Sequence, residues 1–317
     1  MEKSMSPPAG GTWMLDPCEA RTSFLSGTSS HPVHVEHLAP AVAGRGLLPV
    51  VMLHGGFHTG ASYLQTPDGR AGWADRFAAR GHAVFVPDWP AHGRSPGVEN
   101  IVGLTTEAAA AALATVVEAV GPAIVIAHSA AGPIAWWIAE HHPARVAAVI
   151  GIAPGAPANL VRALPDDPTR VQALRHEREA GCPVYSPPDR PVRADRAFVE
   201  DFWANSPRFP RQALDAYVAT VVTESPLVLN ERFNIGDKGL RLHQPSVVAR
   251  RPILIVTGEH DPRHPRAVDQ ALAAYLNADF IWLPDVGLQG NGHMLMLEDN
   301  SHEIADLLIR WLASRAL

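Results

Sequence analysis

A serine, a histidine and an acid stand in this chain in the order and surroundings that nucleophilic catalysis requires. Ser129 lies in IVIAHSAAG (124–132), where a continuous apolar run stops at the serine and small residues lead into PIAWWIAEHH. A chain that turns from strand to helix at one serine strains that residue and leaves no room for large neighbours. The residues two before and two after it, Ala127 and Ala131, are small enough for such a turn. A serine hydroxyl is a poor nucleophile at neutral pH and needs a base. Among sixteen histidines, His293 in DVGLQGNGHMLMLED falls between the last strand-like run and the last helical pattern. That puts it on a loop at the same sheet end as Ser129. The acid should come from a loop between the two, and Asp261 in ILIVTGEHDPRHP follows the preceding strand. There it would hold the imidazole tautomer and stabilise the imidazolium. Glu259 is a nearby competitor and Asp285 a more distant one.

A developing oxyanion needs donors. VVMLHGGFHTG follows another apolar run upstream, and its glycines let the backbone come close to the nucleophile. The first donor is expected to be the N–H of Gly56, with Phe57 as the alternative, and the second the N–H of Ala130. Asp88 and His92, in VPDWPAHGRSPG, are read as structural residues braced by loop hydrogen bonds. His260, Asp261 and His264 share one loop and suggest a metal, but one short loop rarely supplies a whole site. No metal or cofactor is expected. His141 and His142, at a helix C-terminus, are read as surface residues favoured by the helix dipole.

These residues need a scaffold that brings strand ends together. Apolar runs at 22–27, 32–38, 47–55, 82–88, 122–129, 145–153, 251–258 and 278–284 end abruptly in Gly, Pro, Asp or Ser. Most of the later ones are β-branched and continuously apolar, as parallel strands buried on both faces are. Helical patterns alternate with them: GWADRFAARG, TTEAAAAALATVVEAVG, the stretch after Ser129, PRAVDQALAAYLN and SHEIADLLIRWLASRA. The alternation predicts an α/β fold with a mostly parallel eight-stranded sheet flanked by helices. The first two strands lack a helix between them and are expected to form an antiparallel edge.

Residues 155–246 break this rhythm. They are polar, rich in Pro and Arg, and carry helical patterns (TRVQALRHEREAG, RADRAFVEDFWANS, FPRQALDAYVATVV) without a buried-strand run. They are read as a helical cap inserted after the sixth strand, dividing a core of 21–154 and 247–317. Residues 1–20, rich in Pro, Gly and Ser, are read as a flexible arm.

Composition bounds the rest. The 317 residues are 47% apolar and 18% charged, with a formal net charge of −6, which argues against a nucleic-acid or anionic-membrane surface. No run approaches the roughly eighteen apolar residues of a membrane span, and no signal peptide is recognisable, so a cytoplasmic location is expected. Cys18 and Cys182 are read as free thiols.

Taken together, HGG (54–56), PDWPAHGRS (87–95), AHSAAG (127–132), TGEHD (257–261) and GNGHMLM (290–296) resemble the α/β-hydrolase superfamily over residues 45–153 and 250–317. More narrowly, TPDGRAGWADRFAARGHAVFVPDWPAHGRS and GLQGNGHMLMLEDNSHEIADLLIRWL look like a bacterial carboxylesterase branch. That branch implies a Glu-Pro-Gly acid after the sixth strand and a Cys pair in the oxyanion loop. This chain has Ala153-Pro154-Gly155 and Gly56-Phe57 instead, which moves the acid to Asp261. The resemblance implies a serine hydrolase that cleaves an ester or lactone with an apolar portion through an acyl-enzyme. Phe57, Trp136, Trp137 and Phe202 or Trp203 are candidates to line its pocket, and cap arginines such as Arg190 and Arg193 to meet a carboxylate. The same triad suits a C–C bond or amide hydrolase, or a slow-turnover ligand receptor. A dehalogenase is disfavoured because its nucleophile would be Asp. The expected partner is a small ester-like molecule, with no nucleic acid and no membrane. Assembly into a homo-oligomer is left open.

Overall fold

The computed structural model describes residues 21–42, 46–177 and 180–317. The arm expected over 1–20, and Cys18 within it, lie outside the described residues. Eight strands form one sheet: β1 (Arg21–Gly27), β2 (Pro32–Leu38), β3 (Val50–Leu53), β4 (Val84–Pro87), β5 (Ala123–His128), β6 (Val146–Ile152), β7 (Ile253–Thr257) and β8 (Asp279–Trp282). Their order is β1-β2-β4-β3-β5-β6-β7-β8. β1 pairs antiparallel with β2, and β2 with β4. Every pairing from β4 through β3 to β8 is parallel. The eight runs read from the sequence become these eight strands.

The central strands are apolar throughout because both faces are covered. In β5 every residue is buried. Ile124 and Ile126 point into one core layer, while Ala123, Val125 and Ala127 point into the other. The period of two assigns each side chain to a face. On the first face lie α1 (Ala61–Leu64), α2 (Trp73–Arg80) and, at the chain end, α11 (Ser301–Ser314). On the second lie α3 (Thr106–Val120), α4 (Ala131–His141) and α10 (Arg266–Leu276). Thr105 caps α3 by accepting from the Ala108 N–H at 3.1 Å, which satisfies one of the donors a helix start leaves free.

Among the described residues between β6 and β7 are five short α-helices: α5 (Pro168–Ala173), α6 (Arg196–Phe202), α7 (Leu214–Thr220), α8 (Pro226–Arg232) and α9 (Pro245–Val248). The three helical patterns read there are shorter in the structure, and α8 and α9 were not anticipated. α5 stops after six residues with only Val171 buried, because little apolar surface is available to extend it. Leu164, Val171, Ala180 and Ile235 form a small cluster of their own. Val199, Trp203, Phe209, Tyr217 and Leu229 instead join the main core beside Phe57. The inserted segment therefore packs directly on the loop that follows β3. None of the described helices is long and apolar enough to cross a membrane, and Cys182 is a free thiol.

Candidate active site

Ser129 follows β5 directly and takes a left-handed backbone, φ 52°. That conformation costs a non-glycine residue about 1–3 kcal/mol and persists only where surrounding contacts enforce it. Here the Ser129 N–H donates to the Ile152 carbonyl at 3.0 Å, and the Gly132 and Gly155 N–H groups donate to the Ser129 carbonyl at 2.9 and 2.8 Å. The turn needs small neighbours for a measurable reason. A Cβ added at Gly132 would lie 2.4 Å from the Gly155 carbonyl oxygen, and one at Gly55 would lie 2.7 Å from His128 Nδ1.

The structure brings Ser129, His293 and Asp261 into one hydrogen-bonded row. His293 Nε2 lies 3.0 Å from Ser129 Oγ, and His293 Nδ1 lies 2.5 Å from Asp261 Oδ2. Asp261 Oδ1 accepts the Arg263 N–H at 3.0 Å. All three residues are buried. The two competing acids are elsewhere: Glu259 accepts the Gly290 N–H at 2.6 Å, and Asp285 pairs with Arg266 at 2.5 Å. Gly292, beside His293, donates its N–H to the buried Glu298 at 2.6 Å, which stiffens the glycine-rich run.

Burial pushes the His293 imidazole below its ordinary value of 6.5; Asp261 opposes that shift, while the charges of His264 and Arg232 reinforce it. A neutral imidazole at neutral pH is the form that can accept a proton. Burial by itself would raise Asp261, but the neighbouring His293 and His264 and its hydrogen bonds hold the carboxyl well below the usual carboxylate range. His264 stacks on His293 with ring centroids 5.6 Å apart. Its Nδ1 lies 3.1 Å from Asp269 Oδ1. Burial lowers His264, yet Asp269 and Asp261 together carry its pKa above the ordinary value.

The loop after β3 faces Ser129. Phe57 donates its N–H to Glu224 Oε2 at 2.9 Å, so that donor is already engaged. The N–H groups of Gly56 and Ala130 have no acceptor among the described residues, and both residues line the space in front of Ser129. Of the two loop donors left open by the sequence, Gly56 is therefore the available one. His54 locks the loop from below, accepting the Trp89 N–H at Nε2 (2.9 Å) with Nδ1 2.8 Å from the Gly55 carbonyl.

Reading the residues along the chain missed three of the loop's braces. Glu224, fully buried, also accepts the Ser225 N–H at Oε1 (2.7 Å), and His92 Nε2 lies 3.2 Å from the same oxygen. Burial alone would raise Glu224, but His92 and its hydrogen bonds hold it below the ordinary carboxyl value. His58 reaches the Gly56 carbonyl at 2.7 Å and the Tyr217 hydroxyl of α7 at 2.8 Å. Burial pushes His58 down to about 4. His128 Nε2 lies 3.1 Å from the His293 carbonyl. Ser225-Pro226 is a helix-start signal, cap residue followed by Pro at the first position, and would have placed α8 and drawn attention to Glu224 before it.

The space in front of Ser129 is lined by Gly56, Phe57, Ala130, Trp203, Leu229 and Arg232, among others, and is about 20 Å³. That is room for roughly one water molecule, so a substrate enters only if one of these walls gives way. Phe57 and Trp203 are at the site as expected. Trp136 is not, and neither is Trp137. Trp136 is fully buried on the helix side of the sheet, donating its Nε1–H to the Gly155 carbonyl at 3.0 Å, and Trp137 stacks on His141 at 3.9 Å. The helix following Ser129 turns both rings away from the space in front of the serine. Arg190 and Arg193 are exposed and line no part of this space; Arg232 does. Asp261, His264 and His293 present ligand atoms within 4.8 Å of one another. His293 thus takes the place of His260 in the grouping suggested by the sequence, and a metal there would have to displace the His293–Asp261 contact.

A family model described as the Alpha/beta hydrolase family matches residues 50–307. A protein described as probable secreted lipase phiG, from Fungal sp. (strain ATCC 74256), is 24% identical over 83% of this chain and 81% of its own length. Among solved structures, a novel bacterial esterase superposes with a TM-score of 0.56 at 18% identity, covering 98% of this chain and 99% of its own. The esterase EaEST from Exiguobacterium antarcticum superposes with a TM-score of 0.65 at 16% identity, covering 92% of this chain and 100% of its own.

Proposed function

The chain belongs to the alpha/beta hydrolase family, and we propose that it is a serine hydrolase of carboxylic esters or lactones working through an acyl-enzyme. The observation that carries this reading is the continuous row from Ser129 Oγ through His293 to Asp261, with contacts of 3.0 and 2.5 Å. Ser129 Oγ attacks the substrate carbonyl while His293 Nε2 takes its proton. Asp261 keeps the other ring nitrogen protonated and stabilises the imidazolium. The tetrahedral oxyanion is received by the N–H groups of Gly56 and Ala130. As the intermediate collapses, His293 returns the proton to the departing alkoxide, leaving the acyl group on Ser129. Water then attacks that ester, His293 takes its proton, and the acid is released with Ser129 restored. Residues 155–246 act as a cap, and Phe57 and Trp203 supply apolar wall to the substrate.

The lipase and esterase names of the relatives support ester chemistry. A cytoplasmic location belongs to the same reading and suits the free thiol of Cys182. The test is labelling by a fluorophosphonate together with burst hydrolysis of a short p-nitrophenyl ester, wild type beside Ser129→Ala. One adduct per chain and a burst, both absent from Ser129→Ala, are expected. Equal labelling or equal turnover in the two proteins would remove Ser129 as the nucleophile.

A further inference from the structure

Arg232 ends α8 and lines the same space as Ser129 and His293. Elsewhere in the inserted segment, Arg196 pairs with Glu200 and Asp215, Arg162 with Glu177 and Arg241 with Asp237, while Arg190, Arg193 and Arg211, which have no carboxylate partner among the described residues, are exposed. Arg232 differs. It is partly buried, and among the described residues it has neither a hydrogen bond nor a carboxylate partner. Its guanidinium carbon lies 5.6 Å from the centroid of the Phe233 ring. Burial pushes it down to about 10, with the charge of Arg263 adding to the effect and Asp261 opposing it, so it stays cationic at neutral pH.

Arg263 does not relieve this imbalance. It lies over the rings of Phe202 and Phe198, 4.7 and 5.5 Å from their centroids, and its buried Nε has no acceptor. The carboxylate whose charge both guanidinium groups feel is Asp261. That carboxylate is engaged by His293 Nδ1 and the Arg263 N–H. A cation partly withdrawn from water without a carboxylate partner is costly, and a ligand's carboxylate would supply the missing charge.

Building on the serine-hydrolase reading, we infer that this site selects esters bearing a carboxylate and that Arg232 receives it. A guanidinium presents a planar fork of donors that matches a carboxylate's two oxygens. Beside His58 and His128, the wall carries an apolar part, Phe57, Trp203, Val228 and Leu229, which suits a short hydrocarbon spacer between the scissile carbonyl and the acid. The fitting substrate is therefore a small half-ester of a dicarboxylic acid, or an ester of a hydroxy acid. Arg232 acts on binding, not on the bond-breaking step.

Two measurements test this. The first compares kcat/KM for mono-p-nitrophenyl adipate against p-nitrophenyl hexanoate, and for 4-acetoxybenzoate against its methyl ester, at fixed ionic strength. The second asks whether succinate, glutarate or adipate slows fluorophosphonate labelling of Ser129 when the corresponding diamides do not. An acidic ester is expected to be favoured in the wild type, with the difference carried by KM. Arg232→Gln should lose that preference by roughly 30-fold or more, read as the ratio of acidic to neutral ester within the same variant, and should lose protection by the diacids. Arg232→Lys, which keeps the charge without the fork, should recover part of both. Equal use of acidic and neutral esters with no diacid protection, or a preference that survives in Arg232→Gln, overturns the inference while leaving the serine hydrolase intact. If the glutamine variant does not fold, the wild-type preference and protection decide it. No labelling of Ser129 and no Ser129-dependent turnover of any of the four esters would instead bring down the parent reading, and this one with it.

Discussion

Glu224 reaches from the inserted segment to the loop after β3, and its removal should disable catalysis without touching the substrate. Its carboxylate receives the Phe57 N–H at 2.9 Å and the Ser225 N–H at 2.7 Å, and lies 3.2 Å from His92 Nε2. Glu224 and His92 are both buried. Glu224→Ala leaves two buried N–H groups and a buried imidazole without their acceptor, a loss of about 3–5 kcal/mol for a broken buried ion pair. With Phe57 released, the adjoining Gly56 N–H loses its placement opposite Ala130. Losing one oxyanion donor costs about 10²–10³ in kcat, and KM for a neutral ester should move little. Glu224→Gln separates position from charge. The amide can keep its oxygen on the Phe57 N–H and turn its NH2 toward His92, which loses the support for its charge once the facing carboxylate is gone, leaving only the Ser225 N–H bare. That costs about 1–3 kcal/mol of stability, and kcat should stay within about tenfold of wild type because Phe57 keeps an acceptor. The assays are urea unfolding and steady-state hydrolysis of a p-nitrophenyl ester. If Glu224→Ala kept its unfolding midpoint and its kcat, the loop would not depend on this contact. If the alanine and glutamine variants lost kcat equally, charge rather than the hydrogen bond to Phe57 would be what matters.

Three further outcomes follow from the same geometry. Asp261→Asn removes the acceptor 2.5 Å from His293 Nδ1 and favours the wrong tautomer, so kcat should fall about 10⁴-fold with the fold retained; a loss under tenfold would return the acid's role to another residue. Because burial holds His293 below 6.5, the base is neutral above that depressed value, and kcat/KM should rise with pH along a limb centred below 6.5; a limb centred above 6.5 would contradict this. Gly132→Ala forces a Cβ to within 2.4 Å of the Gly155 carbonyl oxygen, which also accepts from Trp136. A stability loss of about 1–3 kcal/mol is expected in denaturant unfolding, and an unchanged midpoint would show that the segment after β6 can yield.

What the sequence determined by itself is what local sterics and periodicity can carry. Apolar runs without alternation became strands covered on both faces, as β5 shows. Small residues around Ser129 implied a tight turn, and the structure has it, at φ 52°. The order of Ser129, Asp261 and His293 along the chain was enough to nominate them, since loops after parallel strands meet at one sheet end. Tertiary structure alone decided matters that depend on distant partners or on side-chain direction. Glu259 and Asp261 are two residues apart, and only the fold turns one to His293 and the other to Gly290. Gly56 rather than Phe57 is left as a free donor because Glu224, 167 residues farther on, takes the Phe57 N–H. Trp136 sits one turn into the helix after Ser129, and the face that helix buries sends the ring beneath the sheet's loops. Arg190 and Arg193 read as well as Arg232 along the chain; the folding of α8 against the core is what carries Arg232 inside. Local propensity reports whether a residue is in a strand or a helix, but a buried charge finds its role only through the groups that the fold leaves beside it.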